Sequence, residues 1–191
     1  DHGMVTVVAA GNNNADALDF APASSDYAVT VAATDSNDAR ASFSNYGEKI
    51  DVAAPGVNIL SVQAAGGTMC SGTTKYCSVS GTSMATPHVA GLAALLFAKD
   101  PSLTNEQVRQ LIRTGAVDLG SPGKDRDFGY GRINVSGSFA LPKPLTPIIT
   151  SPSSRTTIVN GSFNVIGSAD GPNFASYKLE VGPGRAPTSW T

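Results

Sequence analysis

Gly81-Thr82-Ser83-Met84-Ala85-Thr86-Pro87-His88-Val89-Ala90-Gly91 sets a serine at a turn and then runs into small and apolar residues. These continue almost unbroken to Ala98, which predicts a helix over 83–99 that is buried on most sides. Proline is tolerated in the first helical turn, where its missing N–H costs nothing, so Pro87 puts the helix start within a few residues of Ser83. A hydroxyl there lies beside unpaired backbone N–H groups and the positive end of the helix dipole. Such a place stabilises an anion, including the oxyanion formed when a serine attacks a carbonyl. Serine is also a favoured N-cap, and for Ser83 taken alone that is the plainer reading.

The whole undecapeptide resembles the nucleophile motif of the subtilisin-like serine peptidases, the subtilases, and the resemblance extends over about residues 4 to 140. It implies an α/β fold. The chain is then the C-terminal part of a subtilisin-like domain with a mostly parallel sheet and flanking helices, and Ser83 is the nucleophile. Residues 4–10 are a β-rich apolar run closed by Gly11 and three asparagines, which reads as a buried parallel-type strand ending in a loop. Ala9-Ala10-Gly11-Asn12 is similar to the family segment that supplies the second oxyanion donor. Asn12 takes that role by resemblance, and Ala9, Ala10 and Gly11 line one wall of the pocket for the residue before the scissile bond. Read without the resemblance, Asn12 is an Asx-turn asparagine. Asn12 and Ser83 stand 71 positions apart, near the family's usual separation.

Residues 27–33 read as a second buried strand. In the family, carbonyls before this strand and a later aspartate hold a weak cation. The matching positions are Ala23, Ser25, Ala28 and Asp51, an oxygen-only set that suits calcium or sodium. The alternative is turn backbone with a solvated aspartate. No cofactor is implied for the chemistry itself. Residues 40–47 and 50–57 also resemble the family and read as a surface hairpin followed by a strand stopped by Pro55-Gly56.

Cys70 and Cys77 bracket a short stretch ahead of the nucleophile. With a secreted-looking composition they suggest one disulfide, worth roughly 2–3 kcal/mol by loop closure. Two free thiols are the alternative, whereas a Cys-x6-Cys spacing without histidines is poor for a metal. Thr104-Asn105-Glu106-Gln107 forms a capping box, and Val108, Leu111 and Ile112 follow as an i, i+3, i+4 stripe that Gly115 stops. Residues 129–135 resemble the segment that closes the subtilase domain, but Gly137-Ser138 stand before Ala140 and weaken a final helix.

The expected organisation is a peptidase portion over 1–140, a stiff Pro-rich linker over 141–154 and a truncated β module over 155–191. The module has strands at 156–159, 163–166 and 177–181 and turns at Asn160-Gly161 and Asp170-Gly171. Its end resembles the immunoglobulin-like modules appended to large bacterial secreted proteases.

Asp1, His2 and Ser83 have the right types for a triad but the wrong surroundings. The family orders its triad Asp, His, Ser, with the first two in motifs that do not occur here, so the partners are expected upstream of residue 1. His88 is not the base: five helical residues separate it from Ser83 by about 7.5 Å of rise and about 140° of rotation. A general base needs to come within roughly 3 Å.

The resemblance therefore implies a secreted serine endopeptidase acting on protein or peptide substrates, inactive in these 191 residues without the upstream half of the same protein. A non-catalytic pseudo-peptidase or a surface-binding scaffold is the alternative. A formal charge of −2 gives no footprint for nucleic acid, and no apolar run is long enough to span a membrane.

Overall fold

The computed structural model describes residues 3–64, 67, 69–70, 75–152, 156–158, 162–170, 175–182, 189 and 191, so Asp1 and His2 lie outside the described residues. The chain forms two units, Asp1–Leu141 and Pro142–Thr191.

The run at 28–34 does not alternate because both its faces are covered. It forms β2 (Ala28–Thr34), buried at every position. β2 is the middle strand of a parallel sheet, flanked by β1 (Thr6–Ala9) and β3 (Val52–Pro55). Val7 pairs with Val29, and Val31 with Val52. On one face Val29, Val31 and Ala33 join Val52 and Ala54 against the helices. On the other, Ala32 and Ala53 pack with Ala10, Ala17, Ala23 and Ile50. β4 (Ile59–Val62) and β5 (Tyr76–Val79) make a separate antiparallel pair that leads into the long helix.

That helix, α1, spans Thr82–Lys99. Thr82, Ala85, Val89, Leu92, Ala93 and Leu96 are buried against the sheet and α2 (Asn105–Thr114). Ser83, Ala90, Gly91, Ala94, Leu95 and Ala98 are exposed, Leu95 by 49%. The expected burial on most sides is thus corrected. The sheet and α2 reach only one side of α1, and nothing among the described residues covers the rest. Pro87 is also displaced from its expected place: with Thr82 as the first helical residue it lies in the helix interior. Its missing N–H leaves the Ser83 carbonyl without the usual i+4 donor. The Thr86 hydroxyl donates to the Thr82 carbonyl at 2.8 Å in the same turn.

α2 follows its sequence closely. The Thr104 hydroxyl accepts from the Gln107 N–H (3.2 Å), the Gln107 side chain accepts from the Thr104 N–H (2.9 Å), and Gly115 is the C-cap. The weakened final helix exists as α3 (Val135–Ala140), six residues capped by Asn134, whose side chain accepts from the Gly137 N–H at 3.1 Å.

Residues 40–47 are not a surface hairpin. They form a loop in which Ala41, Ser44 and Asn45 are buried, because two polar side chains satisfy the backbone around them. The Ser44 hydroxyl accepts from the Ala33 N–H (3.0 Å) and donates to the Asn45 carbonyl (3.0 Å).

In the second unit, β6 (Thr146–Ser151) pairs antiparallel with β7 (Ile166–Asp170). The stretch expected as a linker therefore carries a strand. Pro147 is compatible with it because both strands of a two-stranded sheet are edges. Of the expected strands, 156–158, 163–165 and 177–181 are not regular β structure, although Val181 and Thr191 exchange backbone bonds. Val159 and the turns Asn160-Gly161 and Asp170-Gly171 lie at least partly outside the described residues.

Candidate active site

Asn12 sits just beyond β1, on a loop held by another asparagine. Gly11 turns the chain at φ +105°, and a Cβ built on it would lie 2.4 Å from Asn45 Nδ2. Asn45 is fully buried. Its Oδ1 accepts from the N–H groups of Asn13 (2.9 Å) and Ala15 (3.1 Å), and its Nδ2 donates to the Ala10 carbonyl (2.9 Å). Its own N–H donates to the Gly11 carbonyl at 2.9 Å. One side chain thus fixes the loop on both sides of Asn12. Nothing local in the sequence marks Asn45, because its partners lie 30 to 35 positions away.

The Asn12 carboxamide is oriented by the first residue of α1. Its Oδ1 accepts from both the N–H (2.9 Å) and the hydroxyl (2.8 Å) of Thr82, and that hydroxyl accepts in turn from the Gly11 N–H (3.2 Å). With the oxygen saturated, the end of the amide left without a partner among the described residues is Nδ2, a pure donor on an exposed residue. A Cβ on Gly81 would stand 3.3 Å from Nδ2, so the glycine leaves room for the amide beside the helix start. Thr82 is a second residue the sequence reading passed over; its position inside the undecapeptide was the available signal.

Ser83 is the second helical residue and is exposed. The N-cap is Gly81, with no side-chain cap, so Ser83 is not the capping serine of the plainer reading. Among the described residues no group accepts from the Ser83 N–H or engages its hydroxyl. The structure brings together a free hydroxyl, a free first-turn N–H and an outward carboxamide N–H, all tied to the Gly81–Thr82 step. This arrangement can receive negative charge developing on a carbonyl oxygen attacked by Ser83.

His88 does not join it. Its Nδ1 lies 3.0 Å from the Met84 carbonyl one turn back, so Nδ1 carries the hydrogen and the ring is tied to its own helix. No other histidine is among the described residues. Of the expected pocket wall, Ala9 and Gly11 are half-buried, whereas Ala10 is fully buried and packs into the sheet's second core. Cys70 and Cys77 are disulfide-bonded, with Cα atoms 5.8 Å apart, and Cys77 belongs to β5.

Of the residues matched to a cation, Asp51 and Ala23 turn their oxygens to the chain itself. Asp51 Oδ1 accepts from Arg113 Nε (3.0 Å) and Nη2, and Oδ2 accepts from the Thr30 N–H (2.8 Å). The Ala23 carbonyl accepts from the Thr30 hydroxyl at 2.8 Å. This donor set does not fit a calcium or sodium ion as it stands. Burial alone would lower the pKa of Arg113, but the charge and hydrogen bond of Asp51, with Glu106 and Tyr130, outweigh it and the net shift is upward. Partial desolvation first of all pushes the ammonium of the exposed Lys124 down, with Arg113 adding to the effect.

A model of the subtilase family matches residues 1–131. A thermostable alkaline protease of Halalkalibacterium halodurans is 48% identical over 133 residues, 70% of this chain and 34% of that protein. Proteinase R of Parengyodontium album is 44% identical over 133 residues, 70% of this chain and 31% of that protein. Subtilisin BL of Lederbergia lenta is 43% identical over 136 residues, 71% of this chain and 46% of that protein. Among solved structures, a lanthipeptide protease superposes with a TM-score of 0.65 at 27% identity, covering 72% of this chain and 50% of that one. The chain thus spans less than half the length of these curated relatives.

Proposed function

The chain belongs to the subtilase family, and from that premise we propose that the protein carrying it is a secreted serine endopeptidase cleaving protein or peptide substrates through an acyl-enzyme. The observation that carries this reading is the Asn12–Thr82 pair, which spends the carboxamide oxygen internally and leaves Nδ2 as a donor beside Ser83. A merely structural asparagine has no need to keep its donor end outward.

Ser83 Oγ attacks the substrate carbonyl and passes its proton to a base. The carbonyl oxygen becomes an oxyanion held by the Ser83 N–H and Asn12 Nδ2, at the positive end of α1. The amine leaves with a proton from the same base, and water then releases the acyl group from Ser83. Base and orienting carboxylate belong to the upstream half of the protein. Two features support that assignment. Among the described residues β1 has no strand partner on the side away from β2, and the outer face of α1 is apolar and exposed. The disulfide supports an extracellular setting. For Pro142–Thr191 the proposal is part of an immunoglobulin-like β module, supported by the antiparallel β6–β7 pair.

The test is labelling of Ser83 by a fluorophosphonate. The 191-residue chain is expected to react slowly, and the chain extended upstream at the rate of an active serine protease. Fast labelling of the short chain refutes the absence of a base; no labelling of the extended protein refutes the peptidase reading.

A further inference from the structure

The disagreement at Asp51 has a physical content of its own. A calcium ion takes six to eight oxygens at about 2.3–2.6 Å, so an aspartate in its shell must turn at least one free oxygen toward it. Here both Asp51 oxygens and the Ala23 carbonyl already accept from the chain. The guanidinium of Arg113 engages Oδ1 through two N–H groups, and Thr30 engages Oδ2 and the Ala23 carbonyl through its N–H and hydroxyl. The Asp51 side chain is 8% exposed and that of Arg113 16%, so the pair is sheltered from water and salt.

We propose that Arg113 supplies the positive charge at this place, an internal counter-ion that ties α2 to the β2–β3 end of the sheet, so that the protein binds no calcium or sodium there.

The surroundings hold the guanidinium where it is. Glu106 Oε1 lies 3.8 Å from Arg113 Nη1 on one side, and the Tyr130 ring lies 5.7 Å from its central carbon on another. An entering ion would have to displace Arg113 from the carboxylate and from the ring together. Further charged side chains pack around the pair. Lys124 sits over the same Tyr130 ring at 5.7 Å, anchored by a 2.9 Å bond from its Nζ to the Glu48 carbonyl. Arg109 shares Glu106 at 3.1 Å. Glu48 and Lys49 also act on Lys124, and Lys49 pairs with Asp26, so charges of both signs surround the pair and it is the contacts of Arg113 that close the place. Arg113 reaches Asp51 across 62 positions because the capping box fixes the start of α2 and the apolar stripe fixes which face it turns to the sheet. Its place on the last turn puts a cation at the negative end of that helix as well.

The experiment compares thermal midpoints of the wild-type protein, Asp51→Asn and Arg113→Ala in chelator, in sodium and in calcium. For the wild-type protein the expected result is no ion-dependent shift that Asp51→Asn abolishes; shifts from ions bound elsewhere persist in both. Arg113→Ala is expected to lose roughly 6–20 °C in chelator, as a buried carboxylate is left unpaired. It should recover about 5 °C or more in calcium at a hundredfold over its dissociation constant. An ion-dependent shift in the wild-type protein that disappears in Asp51→Asn overturns the proposal. So does an Arg113→Ala variant that folds but gains no response to either ion. Should Arg113→Ala not fold, direct calorimetric titration of the wild-type protein and Asp51→Asn with calcium decides the question. Equal binding supports the internal counter-ion, and binding lost with Asp51 contradicts it.

Discussion

α1 and α2 lie side by side in one core, yet one is finished within these residues and the other is not. α2 is amphipathic, closed at its start by a reciprocal cap, and turns Val108, Leu111 and Ile112 inward while Glu106 pairs with Arg109 and Arg113 with the buried Asp51. α1 is apolar around its circumference but covered on one side only. A helix apolar all round belongs between two layers. The difference separates what this segment stabilises by itself from what it is shaped to receive. Ser83, the proposed nucleophile, sits at the start of the unfinished helix.

The largest effect is expected from Leu95→Asp, on the exposed face of α1. In the 191-residue chain it should change stability by no more than about 0.5 kcal/mol, as for other surface positions. In the upstream-extended protein it should cost about 3–5 kcal/mol, because the carboxylate would be buried without a partner. Urea melts of both lengths check this, and equal small effects would mean that the face stays in water. Thr104→Ala sharpens the other side of the comparison. Removing the cap hydroxyl should cost about 1 kcal/mol in either length, since α2 is complete here. A cost that depends on the upstream half would break the contrast.

The smallest effect concerns Lys124, beside the C-terminal end of α2. The side chain is exposed, but partial desolvation of its ammonium lowers the pKa below the ordinary value, so the unfolded chain holds the proton to higher pH than the folded one. Its unfavourable contribution is therefore full at neutral pH and is relieved as pH climbs through the lowered pKa toward the ordinary one. Relative to the wild-type protein, Lys124→Met should show a shallower rise, or a steeper fall, of melting temperature across that alkaline range. Parallel curves would contradict the sign.

Where the sequence was legible, the determining interactions were short-range. The capping box of α2 spans four residues, the apolar run of β2 needs only its own composition, and the undecapeptide carries its serine with it. What escaped depends on partners far along the chain. Asn45 holds the Asn12 loop from a stretch that reads as surface, and Arg113 finds Asp51 across 62 positions. Neither has a local pattern to betray it. Pro87 misled for a different reason. A proline marks a lost hydrogen bond, and its position in the helix interior shows that α1 tolerates that loss at the Ser83 carbonyl. The second unit misled through Pro147, since proline-rich composition reads as linker while an edge strand accepts proline equally well.

The central claim is that the outward amide of Asn12 and the backbone N–H of Ser83 serve one oxyanion. The most direct measurement is a crystal structure of the upstream-extended protein with a peptide boronate or phosphonate bonded to Ser83 Oγ. The account expects one adduct oxygen at about 3 Å from both Asn12 Nδ2 and the Ser83 nitrogen. An adduct whose oxygens all lie beyond hydrogen-bonding reach of Asn12, with its carboxamide still held by Thr82, would contradict it.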